Sequence, residues 1–386
     1  MKVLQVSTIG FANPRYYRTH ELTLSKSLVK LGHQVTIFAS DRYAKFQILD
    51  DRRAVRSVES VDGVMVRRYP SRLEIGLVSL MPTLLFEILK FDWDILHAHT
   101  MLAPSSFYSA IASALKKRPF VVTQHEYSFF TSHGAKLFFR EFNDTTFGRF
   151  TMKRASAVIG LSRAAAGFVQ RFGAAKEKTV VIPNSVDTSL FCPSHKSLVR
   201  EKLGVDGPIV LFIGRLTDEK GIDVLFRAFR ELSKKARNAN LVLVGKGPQE
   251  NNLRQMQTRL GLNNIYFLGR VPQQDAPRLY AGCDLLVLPS FYEPFGNVVL
   301  EALASGLPVV GSKIGGMADV ITDGETGFHV KPGNTQDLSK CMQLLLKDER
   351  LRKAMSAAAR KHAMERFDDM VVTKKVESLY YQCLKR

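Results

Sequence analysis

The sequence predicts an α/β protein with two doubly wound, Rossmann-like domains that face each other across a cleft. Three observations lead to this prediction. The chain has 386 residues, a length that favours two domains. Short runs rich in Val, Ile and Leu alternate with segments of helical apolar spacing, which is typical of parallel sheets covered by helices. This alternation begins twice, so we expect two such sheets.

The first series lies in the N-terminal half of the chain, and we assign residues 1–188 to this domain. After the first strand, Arg18–Leu31 has helical apolar spacing and Gly32 is a typical helix stop. The predicted strands of this series are Lys2–Ser7, Gln34–Ala39, Ile95–His99, Phe120–Gln124 and Ala157–Leu161.

The second series gives a C-terminal domain of residues 189–367. An extended polar linker, Asn184–Pro193, precedes it and is typical of a hinge. The last segment, Asp368–Lys385, is predicted to be a helix, and we expect residues 368–386 to pack back onto the first domain. The predicted strands are Ile209–Ile213, Asn240–Val244, Ile265–Leu268, Leu285–Leu288, Pro308–Gly311 and Gly327–Val330.

Charge and composition restrict the partners and the compartment. The formal net charge is +19, which favours anionic partners: nucleic acid, an acidic membrane surface or a phosphorylated ligand. A nucleic-acid binder is disfavoured because no basic helix or RNA-binding motif is present. Four isolated cysteines argue against zinc and disulfides. Without a secretory signal or an apolar run of membrane-spanning length, we expect a cytoplasmic protein.

Charged residues follow two strands of the second series. Arg215 and Lys220 stand on the loop between Gly214 and the helix that begins at Ile222. Two cations near free helix N–H groups favour a pyrophosphate, although a solvated basic loop fits this loop equally well.

The loop after Leu285–Leu288 carries two carboxylates. Glu293 precedes a helix that begins near Gly296 and Asn297, and Glu301 lies inside that helix among apolar neighbours. Backbone N–H groups at such a helix start are suited to an anion. A dipole-favoured first-turn charge and a solvated helix face are the alternatives for Glu293 and Glu301.

Glycine-rich loops follow two further strands, at Gly245-Lys246-Gly247-Pro248 and at Gly311–Met317. Such loops let the backbone approach a ligand closely, and plain turns are the alternative. Taken in this order, the loops resemble the nucleotide-binding domain of retaining glycosyltransferases with two facing Rossmann-like domains (the GT-B fold), and most closely family 4 of those enzymes. The residues that carry the resemblance are Ile182-Pro183-Asn184, Val186-Asp187, Gly214-Arg215, Glu219-Lys220-Gly221, Gly245-x-Gly247-Pro248, Glu293-Pro294-Phe295-Gly296, Glu301-Ala302, Gly306-x-Pro308-Val309-Val310 and Gly324-x-Thr326-Gly327.

The resemblance implies a nucleotide-diphospho-sugar donor, a UDP- or GDP-sugar, with no cofactor or metal required. Arg215 and Lys220 then neutralise the pyrophosphate, Glu301 accepts the ribose hydroxyls, and Glu293 faces the donor sugar. The remaining residues that this resemblance assigns to the donor are Gly10, Gly214, Gly245, Arg270, Val271, Phe295, Gly296 and Asn297.

The first domain contributes one histidine at the cleft in such enzymes, and His125 occupies that place, with a surface histidine as the alternative. The resemblance implies that His125 hydrogen-bonds the donor sugar or supports the backbone carbonyl near the reacting carbon. His97 and His99 alternate on a strand, but sequence shows no third ligand, so we predict structural roles and no metal site. His99, nearer the strand end, is the better candidate to line the cleft, and we assign it to the acceptor side.

The first loop departs from the family pattern because the paired glycines are absent. Gly10 remains, while Arg15 and Arg18 make the loop more basic. These arginines suit an acceptor phosphate or are simple surface charge. Lys246 also stands where the family often has an acidic residue.

Retention of configuration, as the resemblance implies it, proceeds by front-face attack through an oxocarbenium-like state, without a protein nucleophile. The mixture of aromatic and basic residues in 129–154 suggests an acceptor that is a membrane lipid or lipid-linked glycan, reached at the inner membrane face. An ordinary packed helix is the alternative for this segment. The alternatives in function are a non-catalytic sugar-nucleotide-binding subunit and a nucleotide-sugar 2-epimerase.

Overall fold

A computed structural model describes residues 1–7, 19–41, 57–75, 78–101, 103–125 and 144–385 of the chain. Two compact units are present. One contains Met1–Asn184 together with Asp369–Arg386, and the other contains Ser185–Asp368.

The first unit is built on an eight-stranded sheet with the order β10-β9-β8-β7-β1-β2-β4-β3. Its pairs are parallel except for β3 and β4, which are antiparallel. The strands are β1 (Lys2–Val6), β2 (Gln34–Ser40), β3 (Val58–Val61), β4 (Val64–Tyr69), β7 (Ile95–His99), β8 (Phe120–Gln124), β9 (Ala157–Gly160) and β10 (Thr179–Val181), with a separate hairpin of β5 (Leu73–Ile75) and β6 (Val78–Leu80).

The second unit has a six-stranded sheet with the order β13-β12-β11-β14-β15-β16. Its described pairs are all parallel. The strands are β11 (Ile209–Ile213), β12 (Asn240–Val244), β13 (Ile265–Gly269), β14 (Leu285–Leu288), β15 (Val309–Ser312) and β16 (Gly327–Val330). These two parallel α/β units confirm the predicted fold class.

Helices connect the parallel strands, and their apolar faces are buried. The helix Ile222–Ser233, for example, buries Val224, Leu225 and Phe229. The helices of the first unit are His20–Lys30, Leu84–Lys90, Pro104–Lys116, Arg149–Arg154, Arg163–Arg171 and Asp369–Leu384, with a π-helical turn at Asp144–Gly148. Those of the second unit are Leu198–Leu203, Ile222–Ser233, Glu250–Leu260, Ala276–Tyr280, Asn297–Ala304, Met317–Val320, Thr335–Lys347 and Glu349–Arg366.

The final helix, Asp369–Leu384, packs on the first sheet. Val372, Val376 and Tyr380 belong to the same apolar cluster as strand residues of β1, β2 and β7. Polar contacts support this packing, because His33 Nε2 lies 2.6 Å from Glu377 Oε1. The helix thus completes a core whose strands lie in the N-terminal half of the chain.

The antiparallel hairpin of β3 and β4 was not predicted from the sequence. Asp62 and Gly63 form its turn with φ of 51° and 81°, and Asp-Gly between alternating apolar residues is typical of a type I′ hairpin.

None of the helices among the described residues has the length and apolar character that crossing a bilayer requires.

Candidate functional site

The loop after β11 and the loop after β14 are joined by a salt bridge. Lys220 Nζ donates to Glu293 Oε2 at 2.7 Å, and both side chains are nearly buried, at 13% and 12% exposed. The backbone N–H groups of Phe291 and Tyr292 both donate to Glu219 O, at 2.8 and 3.3 Å. Two motifs that are far apart in sequence therefore form one polar site at the carboxyl ends of adjacent strands.

Arg215 is held more loosely than Lys220. Its Nη2 donates to Glu219 Oε1 at 3.0 Å, and its side chain is 58% exposed. An exposed pair of this kind contributes little to stability, so the guanidinium can exchange its partner for an anion at small cost.

Glycines permit the close approach of these loops. Gly221 has a φ of +62°, and a Cβ there would lie 2.3 Å from Pro289 O. At Gly245, with a φ of +137°, a Cβ would lie 1.9 Å from Gly214 O. A side chain fits at neither position, so the close packing of the loops explains why both motifs carry a glycine there.

The strand-end loops after β11, β12 and β13 are also linked by hydrogen bonds. Gly214 N donates to Val244 O at 3.0 Å and Gly245 N to Gly269 O at 2.8 Å. Arg270 and Val271 follow β13 directly and are half-buried. The structure thus brings Gly214, Gly245 and Arg270 to one edge of the sheet.

The helix Asn297–Ala304 begins directly after a glycine in the left-handed region. Gly296 has a φ of +90° and precedes the helix, and Phe295 before it is buried. Across from it, a Cβ on Gly316 would lie 2.5 Å from Phe295 Cα. Gly316 therefore packs directly against the Phe295 backbone. Asn297, two residues further on, is exposed at the helix start.

Glu301 is half-buried in this helix and has a defined partner. Tyr280 Oη donates to Glu301 Oε2 at 2.5 Å. Burial, together with the nearby Glu301 carboxylate, raises the pKa of Tyr280 well above its ordinary value. The carboxylate is thus oriented by a hydroxyl donor, unlike a solvated surface charge.

Three buried hydroxyls in this region have no hydrogen-bond partner among the residues that the structure describes: Thr217, Ser290 and Ser312. They follow or end β11, β14 and β15, where ligands of parallel sheets bind. A buried polar atom without a partner is unfavourable, which makes these three hydroxyls candidates for contact with a ligand. Sequence reasoning missed all three because single hydroxyls carry no spacing signal.

The first unit holds a stack of histidines at its own strand ends. The His97 and His99 rings are stacked with centroids 4.5 Å apart, and His99 Nδ1 lies 3.3 Å from His125 Nε2. The His97 nitrogens contact Tyr380 Oη at 2.5 Å and Thr123 Oγ1 at 2.7 Å. Burial and the neighbouring imidazoles lower the pKa of His97 and His99 well below the ordinary value.

Glu21 and His20 join this cluster from the first helix. Ligand atoms of Glu21, His99 and His125 all lie within 4.8 Å of one another. The His20 ring lies 6.0 Å from His99 and 5.8 Å from His125, between centroids. Sequence reasoning missed both residues because helix and strands are far apart along the chain. Gly10, Arg15 and Arg18 lie outside the described residues.

Family models match both halves of the chain. The model described as Glycosyltransferase Family 4 matches residues 18–190, and the model described as Glycosyl transferases group 1 matches residues 196–362. The chain belongs to the family 4 glycosyltransferases. The predicted family is thereby confirmed, and the strand-end loops of the second unit lie within the group 1 match of this glycosyltransferase.

Several curated glycosyltransferases resemble the whole chain. The D-inositol 3-phosphate glycosyltransferase of Corynebacterium aurimucosum is 27% identical, over 93% of this chain and 89% of the relative. The capsular polysaccharide biosynthesis glycosyltransferase CapM of Staphylococcus aureus is 24% identical, over 95% and 97% of the two chains.

Solved structures share the fold of this glycosyltransferase. Anabaena HepE in complex with UDP is 26% identical and superposes with a TM-score of 0.78, over 99% of this chain and all of HepE. Sucrose-phosphate synthase of Thermosynechococcus elongatus has the same TM-score at 20% identity, over the full length of both chains.

Proposed function

We propose that the protein is a retaining glycosyltransferase that moves a hexosyl group from a UDP- or GDP-sugar to an acceptor hydroxyl. The observation that carries the proposal is the Lys220–Glu293 pair at the strand ends of the second unit. Structures of HepE with UDP and with UDP-glucose, at 26% identity, support a nucleotide-sugar donor.

Lys220 and Arg215 are assigned to the donor pyrophosphate. The leaving nucleoside diphosphate gains negative charge as the glycosidic bond breaks, and fixed cations stabilise that charge. Lys220 is already held in place by Glu293, so little reorganisation is needed. Arg215 exchanges Glu219 for the phosphate.

The nucleoside and the sugar are assigned to neighbouring groups. Glu301 accepts hydrogen bonds from the ribose hydroxyls, Arg270 and Val271 hold the base, and Gly214 and Gly245 let the backbone approach. Glu293 accepts from the sugar hydroxyls, and Phe295, Gly296 and Asn297 offer backbone groups. Front-face attack then needs no protein nucleophile, and the leaving phosphate accepts the acceptor proton. Transfer requires no metal.

In the first unit, His125 is assigned to the sugar being transferred, and His99, Arg15 and Arg18 to the acceptor. The described part of the aromatic and basic segment supports a lipid or lipid-linked glycan as acceptor. Phe147 and Phe150 are 46% and 44% exposed and pack on Phe107, with Arg149, Lys153 and Arg154 on the same helix. Exposed aromatics beside cations are suited to an anionic membrane surface, which we propose is the inner face.

A donor screen tests the proposed function. The full chain is incubated with UDP-, GDP- and ADP-hexoses and a polyprenyl- or diacylglycerol-based acceptor, and products are analysed by NMR. We expect a glycoside with the donor's anomeric configuration from one UDP- or GDP-sugar. An epimerised nucleotide sugar without acceptor consumption would indicate an epimerase, and nucleotide binding without product would indicate a non-catalytic subunit.

A further inference from the structure

The histidine cluster of the first unit has the composition of a metal site. His99 ends β7, His125 directly follows β8, and Glu21 lies in the first turn of the helix His20–Lys30. We propose that Glu21, His99 and His125 form a binding site for a divalent transition metal, Zn²⁺ foremost. This departs from the expectation of no metal site, which was drawn because the sequence shows no third ligand beside His97 and His99.

The spacing of the two imidazole nitrogens supports this assignment. His99 Nδ1 and His125 Nε2 are 3.3 Å apart, which is longer than the usual hydrogen-bond distance of about 2.9–3.0 Å. A tetrahedral Zn²⁺ site with Zn–N bonds of about 2.0–2.1 Å places two nitrogens about 3.3–3.4 Å apart. The Glu21 carboxylate lies within 4.8 Å of both, so a small side-chain movement completes the set.

The His99 ring is oriented by the group on its other side. His99 Nε2 lies 3.0 Å from Gln5 Oε1, and a carbonyl oxygen there requires the Nε2 proton. The lone pair of Nδ1 then points toward His125. Metal-binding histidines commonly donate their second N–H to such an acceptor, which fixes tautomer and orientation.

His97 supports the site without being a ligand. Both of its nitrogens are engaged, by Tyr380 and Thr123, and its ring stacks on His99. The Glu21 carboxylate also has a supporting partner, because Ser7 Oγ donates a hydrogen bond to Glu21 Oε1 at 3.4 Å. Two imidazoles and one carboxylate leave a coordination position open for water, and this ligand set is typical of Zn²⁺ and Fe²⁺ but not of Mg²⁺.

Metal binding and sugar transfer compete for the same atom. A metal on His125 Nε2 occupies the side chain that the proposed function assigns to the sugar, so we expect Zn²⁺ to inhibit transfer. Only this consequence rests on the proposed function; the site itself stands on the geometry of the first unit.

Calorimetric titration of the chelator-treated full chain with Zn²⁺ tests the site, with Co²⁺ absorption as a second readout of coordination. We expect one equivalent of bound Zn²⁺, and tetrahedral Co²⁺ bands. Binding should weaken tenfold or more in Glu21→Gln and in His125→Gln. Glu177→Gln, on an exposed turn of the same unit, is the matched control and should bind as the wild type does.

The proposal is overturned if the wild type binds no Zn²⁺, or if both ligand variants bind it with unchanged affinity, because the metal then lies on other histidines among the nine of the chain. Circular dichroism confirms that each variant is folded. Zn²⁺ binding without glycosyl transfer would contradict the proposed function alone, and transfer that Zn²⁺ leaves unchanged despite binding would contradict only the competition at His125.

Discussion

The two units use the carboxyl ends of parallel strands in different ways. In the second unit, charged side chains and glycines gather there: Lys220 pairs with Glu293, and Gly221 and Gly245 let the loops touch. In the first unit the same edge carries stacked histidines whose pKa is lowered by burial. One fold thus carries a site of charged side chains at the strand ends of one unit and a cluster of mostly neutral imidazoles at the strand ends of the other.

Replacing Lys220 tests the charged site with the largest expected effect. If Lys220 binds the donor pyrophosphate as proposed, Lys220→Ala removes a fixed cation from the leaving diphosphate, and we expect turnover to fall by about 10²–10³-fold. Steady-state rates with the donor found in the screen measure this. Lys234→Ala, an exposed lysine paired with Glu231, should leave the rate unchanged. A near-wild-type rate for Lys220→Ala would remove Lys220 from the pyrophosphate site.

A methyl group at Gly245 tests the packing of the strand-end loops. The new Cβ of Gly245→Ala would meet Gly214 O, and we expect a loss of about 2–3 kcal/mol in the free energy of unfolding. Denaturant titration gives the value. Gly261 also has a positive φ, of +67°, but open space around it, so Gly261→Ala should cost only about 1 kcal/mol, from strain alone. Equal losses of unfolding free energy in the two variants would show that the contact between the new Cβ and Gly214 O does not affect stability.

A substitution of Glu301 distinguishes a role in nucleoside binding from a role in the transfer reaction. Glu301→Gln removes the charge that strengthens hydrogen bonds to the ribose, and we expect the nucleotide to bind about tenfold more weakly. Turnover at saturation should change less. Calorimetric titration with UDP and GDP measures the affinity, with the exposed Glu231→Gln as control. A large fall in turnover with unchanged affinity would assign Glu301 to the reaction instead.

A substitution of Tyr380 tests the first unit, and its expected effect is the smallest of these predictions. Tyr380→Phe removes the hydrogen bond to His97 and should lower the free energy of unfolding by about 1 kcal/mol. Nucleotide affinity should stay the same because Tyr380 contacts the imidazole stack and the core of the first unit. A weakened nucleotide affinity would contradict the separation of the two sites.

The fold was largely predictable because parallel strands buried on both faces read as apolar runs. The strands Ile95–His99 and Asn240–Val244 have the predicted bounds. The hairpin was missed because β3, at the edge of the sheet, and β4, next to it, are both partly exposed and lack such runs. Its Asp62-Gly63 turn was the available signal.

The charged residues of the candidate site were proposed from the sequence because they follow strand ends, where the ligands of parallel sheets bind. Their pairing was not predictable. Lys220 and Glu293 are brought together by the order β11-β14 in the sheet, which the chain order does not give. The contacts of Tyr280 with Glu301, and of Glu21 with the histidines, likewise depend on helix positions that only the folded chain provides.

Hydrogen–deuterium exchange of the full chain, with and without UDP or GDP, tests most directly whether the second unit holds the nucleotide. We expect slowed exchange in 214–221, 245–248 and 291–301, and unchanged exchange in the strand-end segments 99–101 and 123–125 of the first unit. Protection of the first unit's segments, with none in the second, would contradict the assignment of the charged site to the donor.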